Sequence, residues 1–358
     1  MTYIGQLPGL YWDEEKLKYF PITKKKPIID NTTSKPAEPA RQIQLTPNLI
    51  KNPHRFNDAI NLYHQTLDRR LRKQPNVKIY SHFYPISAAA SLAERTIAVA
   101  TSQLNSQLQK FNLDTEERKY ILESSPGSVE SLIAIDNDDN IGVVKVAYKS
   151  TNLYKTDFDG QSLVHLHTIN NSNYFDSDFF DRSYLLAIDK TLNRINQRRE
   201  FVKYKSDVVS LSALTDNETL CGLRNGNLHL HDWRMGNRAQ PSVCSFDRTV
   251  NRLKRLKNGN TFVISTMNDD LLLYDIRMNR LTSSLKGNIN KTVLKQPFST
   301  ILNDSYLVVV GEDTIMRTWS LRTSELINSQ AMSNVNYINN YEDNLLICKS
   351  NQIEFISF

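Results

Sequence analysis

Cysteine is scarce in this chain of 358 residues, which contains only Cys221, Cys244 and Cys348. No two of them have the C-x-x-C spacing of a metal or redox site, and a sparse, odd set does not suit a disulfide framework. We therefore expect buried, reduced thiols, as in proteins of the cytosol and nucleus.

Long apolar runs are also missing. No stretch approaches the ~20 residues of a membrane span, and the N-terminus, MTYIGQLPGLYW, has no basic segment followed by an apolar one. Charged residues make up 23% of the chain and the net charge is +6, a composition typical of soluble globular proteins. We expect a soluble protein of the nucleus, the cytoplasm or both, neither secreted nor bound to a membrane.

Common catalytic motifs are absent too, including G-x-S-x-G, G-x-x-x-x-G-K-[ST] and H-E-x-x-H. His165 and His167 share one strand face, as do His229 and His231, but no cysteines or acidic residues complete a ligand spacing. Solvated or hydrogen-bonded histidines explain this pattern better than a metal site. We expect no enzymatic activity, no catalytic residue, no cofactor and no metal.

Residues 1–22 form an aromatic-rich N-terminal motif that includes LPGLYWDEEKLKYFPI. A disordered tail seldom carries so many aromatic residues, so we expect this motif to pack on the rest of the chain or on a partner. Its candidate partner-binding residues are Tyr11, Trp12, Asp13, Tyr19 and Phe20.

Two segments separate this motif from the rest of the chain. Residues 23–50 are rich in Lys, Pro, Thr and Ser, which predicts a flexible linker. Residues 51–75 are predicted to form a helix between Pro53 and Pro75. The apolar stripe that indicates this helix consists of Phe56, Ile60, Tyr63, Leu67 and Leu71.

Residues 77–358 consist of short β-like runs separated by Asn, Asp, Ser and Gly. Within them, His231-Asp232-Trp233-Arg234 returns 43 residues later as Tyr274-Asp275-Ile276-Arg277, and a further 45 residues later as Trp319-Ser320-Leu321-Arg322. A four-stranded propeller blade has a period of about 40–45 residues. The predicted fold class is therefore all-β, a seven-bladed WD40-type β-propeller with an N-terminal extension containing one helix.

The boxes are expected to end the third strand of a blade. An aromatic side chain there fills the space between blades, and the following Asp accepts backbone N–H groups in the turn. The preceding hairpin turns, where a positive φ is tolerated, are predicted at Asn225-Gly226, Asn268-Asp269 and Glu312-Asp313. This reasoning does not require the arginine that follows two places after the Asp.

Counting strands predicts seven blades, at about 80–115, 118–155, 160–198, 201–240, 247–286, 292–328 and 332–358. The last has room for only three strands. A strand near Lys78–Ser81 or Thr96–Thr101 is expected to close the ring.

These repeats resemble the cullin-4-associated substrate receptors of the WD-repeat family, most closely the factor-four branch. Two consecutive boxes of the form [W/Y/H]-D-x-R and the N-terminal LPGxYxD..K..YF pattern carry the resemblance, over residues 7–22 and about 205–328. Departures are His231, in place of the usual aromatic residue, and Ser320, in place of Asp. The candidate partner-binding residues that the resemblance implies are Arg234, Arg277, Asp232, Asp275 and Arg322.

The resemblance implies a non-catalytic adaptor that docks on the adaptor of a cullin-RING ubiquitin ligase and recruits a target protein, as a monomer within a larger complex. The residues leave two alternatives open. Arg234 and Arg277 can instead pair with local acids such as Asp247 or stay solvated. The chain can also be a scaffold subunit of a nuclear chromatin, RNA-processing or ribosome-assembly complex, whose nucleic acid would meet the basic clusters TKKKP, DRRLRK, NQRRE and NRLKRLK.

Overall fold

The computed structural model separates into two units, Met1–Asn57 and Asp58–Phe358. The residues that it describes are 10–13, 18–21, 65–66, 76–81, 86–92, 96–102, 105–135, 140–156, 162–267, 271–292, 295–341, 344–350 and 352–357.

In the first unit, the N-terminal motif contains an antiparallel hairpin of β1 (Leu10–Asp13) and β2 (Lys18–Pro21). The five aromatic and acidic residues singled out in this motif all lie on these two strands, with Tyr11 opposite Phe20 and Trp12 opposite Tyr19. The predicted linker at 23–50 lies outside the described residues. So does the predicted helix at 51–75, except for 65–66, whose backbone is helical.

The second unit begins with β3 (Asn76–Ser81), and three four-stranded antiparallel blades follow it. Blade 1 consists of β4 (Ile86–Ser91), β5 (Thr96–Ser102), β6 (Asn105–Asn112) and β7 (Arg118–Pro126). Blade 2 consists of β8 (Ser128–Ile135), β9 (Asn140–Ala147), β10 (Ser150–Thr156) and β11 (Leu163–Asn170). Blade 3 consists of β12 (Tyr174–Phe180), β13 (Ser183–Ile188), β14 (Thr191–Ile195) and β15 (Arg199–Lys203).

Four more blades complete the ring. Blade 4 consists of β16 (Val208–Thr215), β17 (Glu218–Leu223), β18 (Asn227–Asp232) and β19 (Ser242–Ser245). Blade 5 consists of β20 (Val250–Arg255), β21 (Thr261–Thr266), β22 (Leu271–Asp275) and β23 (Arg280–Ser284). Blade 6 consists of β24 (Phe298–Ile301), β25 (Tyr306–Val310), β26 (Ile315–Ser320) and β27 (Leu326–Ala331). Blade 7 consists of β28 (Val335–Tyr341), β29 (Asn344–Lys349), β30 (Gln352–Ser357) and β3.

The sequence of each strand reflects its distance from the axis of the ring. The second strands β13 and β25 are buried at every residue, because the sheet is covered on both faces by neighbouring blades and its apolar residues can run without alternation. The fourth strand β23 is almost entirely exposed and has the sequence RLTSS. Polar residues of this kind keep an outer sheet edge from pairing with another chain.

The ring closes through β3, which pairs antiparallel with β30 and serves as the fourth strand of blade 7. This confirms the prediction of a closing strand at Lys78–Ser81. The alternative at Thr96–Thr101 is wrong, because those residues belong to β5, inside blade 1.

The prediction of seven four-stranded blades is confirmed. In blades 1 to 4, however, the predicted range of each blade begins and ends one strand too early. The predicted ranges assign each of the fourth strands β7, β11 and β15 to the blade that follows it. They leave the fourth strand of blade 4, β19, between two blades. Blades 1 to 3 have no D-x-R box, so no repeated residue fixed the frame there. Blades 5, 6 and 7 lie close to the predicted ranges.

Two of the three predicted hairpin turns, those of blades 4 and 6, lie where they were expected, but the positive φ does not always fall on the predicted residues. Gly226 has a positive φ of 86°, and a β-carbon there would lie 2.0 Å from the carbonyl oxygen of Phe246, so glycine is required at this turn. In blade 6 the positive φ falls on Thr314, while Asp313 pairs with Arg317 at 2.5 Å. The Asn268-Asp269 turn lies outside the described residues.

Tyr80 is the side chain through which the closing strand reaches blade 1. Its buried hydroxyl donates a hydrogen bond to the carbonyl oxygen of Leu113 at 2.8 Å, and its ring meets Phe111 edge-on at 5.0 Å.

Among the described residues, no helix is long and apolar enough to cross a membrane.

We predict that substitutions of Tyr80 destabilise the whole ring. Tyr80→Phe should lower the free energy of unfolding by about 1 kcal/mol through the lost hydrogen bond, and Tyr80→Ala by roughly 3–5 kcal/mol through the added cavity. Urea unfolding measures both changes. The control Tyr120→Ala removes a half-exposed tyrosine and should cost at most about 0.5 kcal/mol; an equal loss in Tyr80→Ala and the control would contradict the closing role.

Candidate functional site

All three repeated boxes lie on one face of the ring. Each blade runs from its first strand to its fourth in antiparallel steps, so the turns after the first and third strands share one face. We call it the DxR face, and the face with the turns after the second and fourth strands the opposite face. Equivalent backbone hydrogen bonds fix the box turns of blades 4, 5 and 6: Trp233 N to Asn217 O at 2.8 Å, Ile276 N to Asn260 O at 3.0 Å and Leu321 N to Ser305 O at 2.9 Å.

In blade 4, one carboxylate organises the box turn. Asp232 caps a short 3₁₀ turn, Trp233–Met235, and its Oδ1 accepts a hydrogen bond from the backbone N–H of Arg234 at 2.9 Å. The guanidinium of Arg234 then folds back, donating from Nε to Oδ1 at 2.9 Å and from Nη2 to Oδ2 at 2.7 Å. These hydrogen bonds lower the pKa of Asp232 to about 2 and raise the pKa of Arg234.

Blade 5 repeats this arrangement in a more buried form. Asp275, whose side chain is only 6% exposed, accepts hydrogen bonds from the backbone N–H groups of Arg277 at 2.9 Å and Met278 at 3.2 Å. Nη2 of Arg277 lies 3.2 Å from Oδ2. Burial opposes ionisation of Asp275, but the hydrogen bonds from Arg277 and Met278 outweigh it and keep its pKa below the usual value.

This geometry explains the spacing of the box. An arginine two residues after the Asp presents both its backbone N–H and its guanidinium to the same carboxylate. The alternative expectation, that each arginine pairs with a nearby acid, is therefore correct. The partner is the aspartate of the same box and not Asp247. The pairing leaves Arg234 and Arg277 each 66% exposed.

The third box differs from the other two at its acidic position. Ser320 replaces the Asp, and its Oγ accepts a hydrogen bond from the N–H of Thr323 at 3.3 Å. Arg322 is exposed on the DxR face, at the rim of a cavity of about 360 Å³ between blades 5 and 6 that Leu273 and Leu321 also line.

Two exposed methionines accompany the arginines and were missed at the level of sequence. Met235 and Met278 are 65% and 46% exposed, directly after Arg234 and Arg277. The signal was present, since both intact boxes read D-x-R-M. Methionine is flexible and polarisable and suits apolar contact surfaces, so each turn offers a cation and an apolar group side by side.

His231 occupies the aromatic position of the first box, where burying its polar ring costs free energy. It is fully buried, neither ring nitrogen has a hydrogen-bond partner among the described residues, and it meets Trp233 edge-on at 4.7 Å. Burial lowers the pKa of His231 to about 4, against the opposing charge of Asp232. The equivalent residue in blade 5, Tyr274, instead donates its hydroxyl hydrogen to Asn279 Oδ1.

Two of the other histidines in the alternating pairs have ordinary polar partners. His165 hydrogen-bonds with Thr168 Oγ1 at 2.8 Å, and His229 with the carbonyl of Gln240 at 2.8 Å. In the part of the chain that the structure describes, no group of three or more His, Cys, Asp or Glu is placed to hold a metal ion.

The basic clusters do not form one surface for nucleic acid in the described part of the chain. In NRLKRLK, Arg252 and Lys254 line a cavity among the first strands of the blades, while Arg199 of NQRRE donates to Asn193 Oδ1 on blade 3. TKKKP and DRRLRK lie outside the described residues. No side-chain geometry is described for the N-terminal motif, so its candidate partner-binding residues stay a prediction.

We predict that His231→Phe stabilises the protein and reduces its sensitivity to acid. Removing two unsatisfied buried nitrogens should add about 1–3 kcal/mol to the free energy of unfolding at neutral pH. Because the folded-state pKa lies below the unfolded value, wild-type stability falls as the pH drops from about 6.5 to about 4, and the variant should lack this component. Urea unfolding across that range tests the prediction; His165→Phe, at an exposed histidine, is the control, and parallel pH profiles of wild type and His231→Phe would contradict it.

We also predict that the two members of a box separate in stability measurements. Asp275→Ala removes the acceptor of two backbone N–H groups and should cost about 1–2 kcal/mol. Arg277→Ala removes an exposed ion-pair partner and should cost at most about 0.5 kcal/mol. Thermal unfolding distinguishes them, and equal losses would show that the arginine is needed to form the turn.

The comparisons agree with the fold but extend to only part of the sequence. No family model matches the chain. A segment of 111 residues, 30% of this chain, is 29% identical to DDB1- and CUL4-associated factor 4-like protein 2 of Homo sapiens, and the match spans 28% of that protein's length. The WD40 β-propeller domain of Doa1 matches with a TM-score of 0.66 and 12% identity, covering 79% of this chain and 96% of that domain. The second unit is therefore a seven-bladed β-propeller of the WD40 type.

Proposed function

We propose that this chain is a non-catalytic protein-interaction adaptor of the nucleus or cytoplasm that docks through its DxR face on the adaptor of a cullin-4-type ubiquitin ligase and recruits a target protein for that ligase. One observation carries the proposal. Neighbouring blades 4 and 5 expose an Arg-Met pair at the same turn of the same face.

The box chemistry suits a docking contact. Asp232 holds the Arg234 guanidinium in one orientation through Nε and Nη2, so less side-chain freedom is lost when a partner binds. The other N–H groups of the planar fork can donate to carbonyl or carboxylate oxygens of that partner. Arginine and methionine are both enriched at protein interfaces relative to the rest of the surface.

Two further observations support the choice of partner. The human relative carries DDB1 and CUL4 in its name, and the tandem D-x-R boxes resemble those of the cullin-4-associated receptors. The match to the relative spans less than a third of either protein, so its partners are proposed for this chain through the boxes and not transferred from the whole protein. WD40 propellers typically serve as interaction scaffolds, which fits an adaptor without catalysis.

We predict that Arg234→Ala/Arg277→Ala weakens binding of the purified chain to DDB1 at least tenfold. Truncating an arginine that anchors an interface costs about 2–4 kcal/mol of binding free energy. A tenfold loss of affinity, about 1.4 kcal/mol, is therefore a conservative threshold. Surface plasmon resonance with immobilised DDB1 measures the affinity. Met235→Ala/Met278→Ala should weaken binding to a smaller degree, since it removes apolar contact without removing charge.

The matched control is Arg224→Ala/Lys190→Ala. Arg224 is a half-exposed arginine that also pairs with an aspartate, Asp207, at 3.0 Å, but both control residues lie in turns of the opposite face. The control should bind DDB1 like the wild type. Unchanged affinity of the folded Arg234→Ala/Arg277→Ala variant, or an equal loss in the control, would refute docking through the DxR face.

A further inference from the structure

The first strands of the blades enclose a polar cavity that the proposed docking face does not use. Its volume is about 410 Å³, and its walls come from β12, β16, β20 and β28. These strands belong to four different blades, so the cavity is part of the central channel of the ring. Its charged lining residues are Asp176, Asp178, Arg252, Lys254 and Arg255.

Blade 3 supplies the acidic side of the channel, and both carboxylates are satisfied within the protein. Asp176 accepts the N–H of Leu211 at 2.9 Å and pairs across the channel with Nζ of Lys295 at 2.5 Å. Asp178 accepts the backbone N–H groups of Ala213 and Phe179, each at 2.9 Å. Burial raises the pKa of Asp178 to about 6, against the opposing effect of these hydrogen bonds.

Blade 5 supplies the basic side, and its two cations have only uncharged partners. Arg252 donates from Nη1 to the carbonyl of Gln296 at 2.6 Å and lies over the ring of Phe298, 4.5 Å from its centroid. Lys254 donates to Ser299 Oγ at 3.2 Å. Neither forms an ion pair with a carboxylate among the described residues.

The two cations lie on one face of β20 and are both partly buried. Residues two apart on a strand share one face, so Arg252 and Lys254 form a like-charge pair on the channel wall. Burial and then Arg252 lower the pKa of Lys254 to about 8, against the opposing charges of Asp304 and Asp178, so Lys254 is still mostly protonated at neutral pH. Arg255 does not join them, because its Nε donates to the carbonyl of Gly259 at 3.0 Å. Although Asp176 and Asp178 line the same cavity, two neighbouring cations with no ion pair to a carboxylate are an arrangement that a doubly charged anion would stabilise.

We propose that the central channel binds a phosphate group between Arg252 and Lys254, either as free phosphate or on a phosphorylated side chain of a peptide that enters the ring. A phosphate carries close to two negative charges at neutral pH and offers oxygens to both the guanidinium fork and the ammonium group. The cavity of about 410 Å³ can hold the group and the side chain that bears it. The site is independent of the DxR face.

Isothermal titration calorimetry of the full chain tests the site, with three probes at equal ionic strength: inorganic phosphate, a short peptide with one phosphoserine, and the same peptide unphosphorylated. We expect saturable binding of at least one phosphate-bearing probe and none of the unphosphorylated peptide. If the free ion and the phosphopeptide bind equally, the site takes free phosphate; tighter binding of the phosphopeptide identifies a phosphorylated segment as the ligand.

Arg252→Gln/Lys254→Gln should weaken binding at least about tenfold, equivalent to about 1.4 kcal/mol. The matched control, Arg280→Gln/Lys203→Gln, removes the same charges from exposed positions on the outer strands β23 and β15 and should bind like the wild type. Lys254→Gln alone keeps the packing of Arg252 on Phe298 and should still weaken binding several-fold. The single variant therefore tests the proposal even if the double variant misfolds. Absence of binding by the wild type, or an equal loss in the control, would overturn it.

The two proposals fail separately. Arg234→Ala/Arg277→Ala should leave phosphate binding unchanged, and Lys254→Gln should leave binding to DDB1 unchanged. Loss of phosphate binding in the DxR variant would show that the channel is not an independent site.

Discussion

A propeller blade can bury both of its faces only when another blade stands on each side, so the stability of every blade depends on closing the ring. Here the pairing of β3 with β30 provides that closure. Tyr80 extends it into blade 1, in a buried cluster that also contains Ile97, Phe111, Leu346 and Phe355. The closing strand thus joins residues far apart in the chain, whose loop-closure entropy must be overcome before the ring becomes stable.

The same closed ring creates a difficulty at its centre. Each first strand has an inner edge with no strand to pair with, and unpaired backbone groups there must find other partners. Side chains of neighbouring blades supply them: Asp176 and Asp178 accept N–H groups of β16, and Ser210 donates to the carbonyl of Val250 at 2.7 Å. Polar groups therefore accumulate in the channel. On blade 5 these polar groups are the cations Arg252 and Lys254, which form a candidate binding site.

At the outer turns, structural and functional demands meet in one carboxylate. Asp275 satisfies backbone N–H groups and positions an exposed arginine at the same time. Loss of the aspartate would disturb the fold and the surface together, whereas the arginine and methionine can change with little effect on the turn. The DxR face is for this reason a surface whose proposed binding role can be tested without unfolding the blade.

Much of this architecture follows from sequence patterns, because a blade repeats local features: apolar strands, tight turns and a box at fixed spacing. These features predicted seven blades and a closing strand at either Lys78–Ser81 or Thr96–Thr101, of which the first is correct. The ranges of blades 1 to 3 could not be set in this way, since these blades have no box. The box of blade 4 fixes its third strand but not its outer strand β19, because outer strands resemble turns in sequence. The pairing of Arg234 with Asp232 and the exposure of Met235 and Met278 depend on how a turn folds back on itself. The channel site depends on contacts between blades: Lys295, between blades 5 and 6, pairs with Asp176 of blade 3, while Arg252 and Lys254 form no ion pair among the described residues. Sequence spacing carries no information about such contacts, because the closure of the ring is what brings those residues together.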